Sequence, residues 1–98
     1  MKYILTEKAK LDLINIHQYG VFRFGENQAD KYFYAFFEQF GIIAKNPYLF
    51  PSVDYIRKGY RRCVSGVDSI YYRVNNKTVE IITIVGRQDI KNLPTSLV

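Results

Sequence analysis

The chain has 98 residues and a mass of 11.5 kDa, which is one domain with no room for a second. Hydrophobic residues make up 48% and aromatics 16%, a globular composition far from disorder. One cysteine excludes an intramolecular disulfide and leaves too few thiolates for a zinc knuckle or an iron–sulfur cluster. No apolar run approaches the ~20 residues of a membrane span. Met1-Lys2-Tyr3 leads straight into alternating polar and apolar sequence, so no signal peptide is expected and the expected location is the cytoplasm.

Fourteen Lys and Arg against nine Asp and Glu give a net charge of +5. The excess is local: Arg57, Lys58, Arg61 and Arg62 fall within six residues, and no acid lies between Tyr55 and Val67. A focused patch of this kind points to a polyanion or an acidic protein partner, against the alternative of an ordinary solvated strand face.

Tyr3-Ile4-Leu5 reads as a short strand. Thr6 stands where a helix N-cap would, with Glu7 favourable in the first turn. Ala9, Leu13, Ile16 and Gly20 then recur at helical spacing, and Leu11 and Ile14 widen the apolar stripe. The helix is expected to stop between Phe22 and Gly25. A second helix carries Ala29, Phe33, Phe36, Phe37, Phe40, Ile43 and Ala44 on one stripe and ends at Asn46-Pro47. The short connection predicts an antiparallel helix hairpin.

Past Pro51 the period changes to two. Tyr60 to Val64, Ser69 to Val74 and Thr78 to Val85 read as strands, with turns at Ser65 to Asp68 and at Asn75-Asn76. The last strand is apolar on both faces and belongs inside the sheet. The architecture predicted is α+β, in the order β-α-α-β-β-β. A helix hairpin packs on a mainly antiparallel four-stranded sheet, all within one domain over 1–98. Residues 91–98 have little pattern and read as a mobile tail. The strand that pairs with the first is not readable from periodicity.

The inventory for chemistry is thin. His17 has no carboxylate three or four residues away and reads as a packed or surface histidine. Cys63, though beside Arg61 and Arg62, reads as a half-buried inert thiol. Glycines occur singly, and the acidic residues form no pair by motif. What remains is the basic and tyrosine set Tyr60, Arg61, Arg62, Tyr71, Tyr72, Arg73 and Arg87. Alternation puts Arg61 on the opposite face from Tyr60 and Arg62. Arginine stabilises phosphate charge but cannot act as a base, and tyrosine is a poor base at neutral pH. No metal and no cofactor are expected.

The run Ile56-Arg57-Lys58-Gly59-Tyr60-Arg61-Arg62, then Gly66, Ile70-Tyr71-Tyr72-Arg73, and Ile81 to Val85 followed by Gly86-Arg87-Gln88-Asp89 resembles the toxin component of ParDE-type toxin–antitoxin modules. Ala9, Asp12, Phe24-Gly25, the aromatic second helix and Asn46-Pro47 extend the resemblance over nearly the whole chain, from about Tyr3 to Asp89. It implies a ParE/RelE-like fold and a bacterial, plasmid-stabilising type of system. The toxin would be neutralised by a ParD-like antitoxin in a hetero-oligomer and would meet DNA only through that complex. The ParE-like branch of the superfamily poisons DNA gyrase and blocks replication without being an enzyme on nucleic acid. The RelE-like branch cuts mRNA on the ribosome, which here would fall to Arg61, Arg73 and Arg87. The chain departs from that second pattern, because Gln88 to Leu93 contains no tyrosine or histidine. The expected target- or antitoxin-binding residues are Arg57, Lys58, Tyr60, Arg61, Arg62, Arg73 and Arg87. Tyr19, Phe22 and Tyr32 on the hairpin join them, with Phe24 and Tyr34 as further aromatics, and at least half of these hairpin rings are expected in the core.

Overall fold

The computed structural model describes residues 1–86; Arg87 and the 91–98 tail lie outside the described residues. The elements are β1 (Lys2–Leu5), α1 (Glu7–Phe24), α2 (Glu26–Lys45), β2 (Arg61–Ser65), β3 (Asp68–Asn75) and β4 (Thr78–Gly86). Each lies within a residue or three of its expected bounds. Thr6 is extended and its hydroxyl oxygen accepts from the Ala9 N–H at 3.1 Å. The same hydroxyl donates to the Ile82 carbonyl at 2.7 Å, so one side chain both starts α1 and ties it to the sheet.

Gly25 alone separates the two helices. Its φ of +88° reverses the chain, its N–H closes α1 on the Val21 carbonyl, and its carbonyl accepts from Ala29 in α2. A residue with a Cβ rarely adopts that φ.

The sheet order is β1-β4-β3-β2. The β2–β3 and β3–β4 pairs are antiparallel, whereas β1 runs parallel to β4, with Lys2 opposite Thr78 and Leu5 opposite Ile81. The sheet is therefore mixed, and the strand that is apolar on both faces is interior, as expected. Tyr71 pairs with Thr83 and Tyr72 with Ile81, so Ile82 is an extra residue that bends the strand. The tight turn falls on Asn76 and Lys77, at φ +50° and +64°, and not on Asn75-Asn76. Asn75 is still paired with Thr78, which leaves only the next two residues to make the reversal.

The main core lies between the hairpin and the sheet. Phe36, Phe40 and Ile43 of α2 and Ala9 and Leu13 of α1 pack on Cys63, Ile70, Tyr72, Val79, Ile81 and Ile84. A second, smaller core lies on the other face, where the chain between α2 and β2 folds back. Val53 donates its N–H to Tyr60 at 2.8 Å and Arg62 donates to Pro51 at 3.0 Å. This brings Val53 and Tyr60 onto Tyr71 and Val85, with Ile56 and Ile82 at the margin. Tyr72 thus packs beneath the helices, while Tyr60 and Tyr71 pack beneath this loop.

Candidate functional site

The basic patch is built by the loop that returns to β2. Gly59, at φ +86°, donates its N–H to the Asp54 carboxylate at 2.8 Å. That backbone hydrogen bond, followed by one from the Ser52 side chain, holds the Asp54 carboxyl below its ordinary range. Arg57 and Lys58 are carried at the loop's exposed end. Tyr60 is buried, 5% exposed, and its ring lies 5.7 Å below the Arg57 guanidinium. What Tyr60 contributes to the surface is therefore a platform for Arg57.

Arg61 and Arg62 diverge, as strand alternation predicts. Arg61 donates to the carbonyls of Phe50 (2.8 Å) and Tyr48 (3.4 Å) and stands 5.2 Å from the Tyr48 ring. It lines an open cavity of about 320 Å³ together with Tyr48, Ser52, Asp54, Lys58 and Val74. Arg62 donates through Nε to the Ser69 hydroxyl at 2.9 Å. Lys58 and Arg61 therefore share one cavity and Arg62 lines another, while Arg73 is bound across the sheet by Glu80, Nε to Oε1 at 2.7 Å.

The groups that could move a proton are held elsewhere or kept protonated. His17 Nε2 lies 2.7 Å from Asp30 Oδ1 and its ring meets Phe33, so this pair stitches α1 to α2. The carboxylate that sequence spacing did not reveal comes from the other helix. Burial pushes the Cys63 thiol up, with a hydrogen bond from Gln39 acting weakly against it. Burial pushes the Tyr72 phenol up to about 12, and raises Tyr71 as well. Tyr32 is raised by burial and then by its hydrogen bond to Asp68; it also donates to the Ser65 carbonyl at 3.1 Å.

The hairpin presents a second surface. Tyr19, Phe22, Phe24 and Tyr34 are exposed, Phe22 at 87%. Of the five hairpin rings only Tyr32 is drawn inward, so the expectation that at least half belong to the core is corrected. The residues from 21 to 28 are all exposed, and the hairpin tip stands clear of the sheet. Leu11 and Ile14 are exposed too. They do not widen the core stripe but form, with Val21 and Phe22, a second stripe on the outer side of α1. The signal was in the spacing, because Leu11, Ile14 and Phe22 are offset by roughly half a turn from Ala9, Leu13 and Ile16.

Residues 3–91 match the family described as the ParE toxin of type II toxin-antitoxin system, parDE. The chain is 37% identical over 83 residues to Toxin ParE1 of Caulobacter vibrioides, covering 85% of each. Over 85 residues it is 28% identical to Toxin ParE1 of Mycobacterium tuberculosis, covering 86% of this chain and 87% of that one. It is similar in fold to a solved structure described as the chromosomal ParDE TA system from P. aeruginosa. The TM-score there is 0.78 at 24% identity, covering 88% of this chain and 95% of the other. The chain belongs to the ParE toxin family of type II toxin–antitoxin modules. Membership in a parDE system implies an antitoxin as its partner.

Proposed function

We propose that this chain is a toxin that poisons DNA gyrase by binding it, blocks replication, and is silenced when a ParD-like antitoxin covers it. One observation carries the reading: contact surfaces are plentiful, while every candidate proton carrier described above is occupied or held protonated. His17 is engaged by Asp30 on the hairpin and Cys63 is buried. General acid–base cleavage of RNA needs a group near its working pKa beside the scissile phosphate. Docking needs only apolar area with a few charges to orient it. The exposed rings of the hairpin and the cations of the 57–62 segment supply those. The reading places the chain in the cytoplasm, where gyrase and the antitoxin work.

The test is a supercoiling reaction with purified gyrase, relaxed plasmid and the purified chain. Protein-linked cleaved DNA is the expected product, and addition of the antitoxin suppresses it. Supercoiling that proceeds unchanged at micromolar toxin, with codon-phased cuts in translated mRNA, overturns the reading in favour of a RelE-like nuclease.

A further inference from the structure

The open cavity of about 320 Å³ beside Arg61 stands at the lower end of small-ligand pockets, roughly 300–1,000 Å³. Its walls carry two cations, Lys58 and Arg61, and one carboxylate, Asp54. Among the described residues neither cation forms an ion pair with Asp54 or with any other carboxylate. Asp54 is turned to its own loop instead, where it accepts from the Gly59 N–H at 2.8 Å and from the Ser52 side chain. Two positive charges therefore face one open space, and the only acid on its walls is already hydrogen-bonded.

Both cations are in place before any ligand arrives. Arg61 Nη1 is used by the carbonyls of Phe50 and Tyr48 at 2.8 and 3.4 Å. This fixes the guanidinium and leaves Nε and Nη2 without a hydrogen bond among the described residues. Lys58 sits in a closed turn. The Val53 N–H donates to the Tyr60 carbonyl at 2.8 Å, the Tyr60 N–H donates to the Arg57 carbonyl at 3.1 Å, and Gly59 makes the reversal at φ +86°. The Tyr48 ring is 63% exposed, 5.2 Å from the Arg61 guanidinium, and is the aromatic wall of the cavity.

The geometry points to a nucleotide site: a phosphate ester is shared by Lys58 and Arg61, and its base stacks on Tyr48. A phosphate presents oxygens in several directions, so cations from two elements can hold it together, whereas a carboxylate offers two oxygens in one plane. The Asp54 carboxylate keeps lone pairs for a donor on the base or sugar. The site binds and does not cut, because its walls offer two cations and a carboxyl held below its ordinary range, which is a weak base. Two sources supply the same chemistry, a free nucleotide and a strand of DNA. The site goes beyond the gyrase reading and does not rest on it. It also differs from DNA contact made only through the antitoxin complex.

Amide chemical shifts of the purified chain, followed as thymidine monophosphate, thymidine or inorganic phosphate is added, test the inference. The monophosphate is expected to move amides between 48 and 61 and to bind about tenfold tighter than inorganic phosphate, the effect of one stacked base. Thymidine is expected to bind more weakly than its monophosphate. Lys58→Ala is expected to weaken both phosphates by about fivefold or more. Tyr48→Ala is expected to remove the tenfold advantage and leave inorganic phosphate unchanged. Lys58 and Tyr48 are exposed, so both variants keep the fold. A short thymidine oligonucleotide separates the sources: binding more than about tenfold tighter than the monophosphate assigns the site to a DNA strand, and anything less to a free nucleotide. Amides at 48–61 that do not move overturn the inference, as does inorganic phosphate binding as tightly as the nucleotide. Tighter binding of an aspartate-rich peptide, or cleavage of the oligonucleotide, overturns it too. The supercoiling reaction is read separately, so the gyrase reading stands or falls on its own.

Discussion

The buried carboxylate of Asp12 tests how the two layers are joined. Its Oδ2 accepts from the Thr83 hydroxyl and, at 3.0 Å, from the Ile84 N–H, while Lys8 pairs with Oδ1. Thr83 is fully buried and Ile84 4% exposed, so water cannot replace the carboxylate without the layers parting. In Asp12→Ala the Ile84 N–H is orphaned, which costs about 1–3 kcal/mol. The Thr83 hydroxyl can rotate, and Lys8 reaches it at 3.5 Å, so its loss is nearer to ~1 kcal/mol. The sum is about 3 kcal/mol, a large share of the roughly 5–15 kcal/mol that holds a domain folded. At ~4–8 °C per kcal/mol for a chain of this size, the melting midpoint falls by about 15 °C. Asp12→Asn keeps an acceptor for Ile84 and Thr83 but turns its NH2 toward the exposed Lys8 ammonium, which moves away into water, with an expected cost of about 1 kcal/mol. Urea unfolding followed by far-ultraviolet circular dichroism measures both variants. Asp12→Ala costing under about 1 kcal/mol, or the two variants costing the same, refutes the assignment.

Gly66 has φ +61°, and a Cβ there would lie 2.7 Å from the Tyr32 hydroxyl. Gly66→Ala is expected to displace a ring pinned to Asp68 and Ser65 and to cost about 2–3 kcal/mol. Gly25→Ala, at φ +88° and ψ 164° with open space around it, is expected to cost about 1–3 kcal/mol from backbone strain alone by the same urea assay; Gly66→Ala costing under about 1 kcal/mol refutes the clash. Arg73→Ala removes a half-exposed ion pair, lowers stability by about 1 kcal/mol or less, and is expected to leave gyrase poisoning within about threefold. Codon-phased cleavage of translated mRNA that Arg73→Ala abolishes with stability intact contradicts the docking reading.

Alkaline pH probes the buried thiol and phenols together. Cys63, Tyr32, Tyr71 and Tyr72 all titrate higher in the folded chain. Their contribution is complete below the unfolded values, about 8.5 for cysteine and about 10 for tyrosine, and is lost as pH rises through the folded ones. Stability measured in urea is expected to be flat from pH 7 to 8 and to fall above about pH 9. The slope grows by at most ~1.4 kcal/mol per pH unit for each group engaged. A rise in stability over that range refutes the assignment.

The spacing of residues made the hairpin and the interior strand legible. Phe36, Phe40 and Ile43 repeat at three and four and are all buried, and β4 is apolar on both faces because sheet neighbours flank it and cores cover both sides. Periodicity could not say which strand receives β1, since four residues carry a face but no partner. The loop from 46 to 60 was not legible for a related reason. It is aperiodic, and it is fixed by Tyr71 and Val85 on the far face of a sheet that does not exist until β3 and β4 pair. At the candidate site, alternation separated Arg61 from Arg62 correctly. It could not find the carbonyls of Tyr48 and Phe50 that hold Arg61, or the burial of Tyr60 beneath Arg57. The outer stripe of α1 was visible as leucine, isoleucine and phenylalanine, but hydrophobicity alone does not tell a core stripe from one kept for a partner.

That outer stripe imposes a cost on the free chain, and the cost can be measured. Exposed apolar side chains on one helix face, such as Leu11, Ile14, Val21 and Phe22, drive self-association in a protein that stays alone in water. The net charge of +5 opposes it by keeping copies apart. Repulsion of this kind is screened beyond ~10 Å at 0.1 M salt and beyond ~3 Å at 1 M, whereas apolar attraction is not screened. The free chain is therefore expected to scatter more light in 0.5 M than in 0.05 M sodium chloride. Phe22→Ser is expected to remove most of that increase and, because the ring is 87% exposed, to shift the melting midpoint by no more than about 2 °C. Antitoxin in equimolar amount is expected to act as the substitution does, on the reading that it docks on this stripe. Scattering that falls with salt, or that Phe22→Ser leaves unchanged, shows that the stripe does not govern association. The aromatic tip would then need another reason for standing in water.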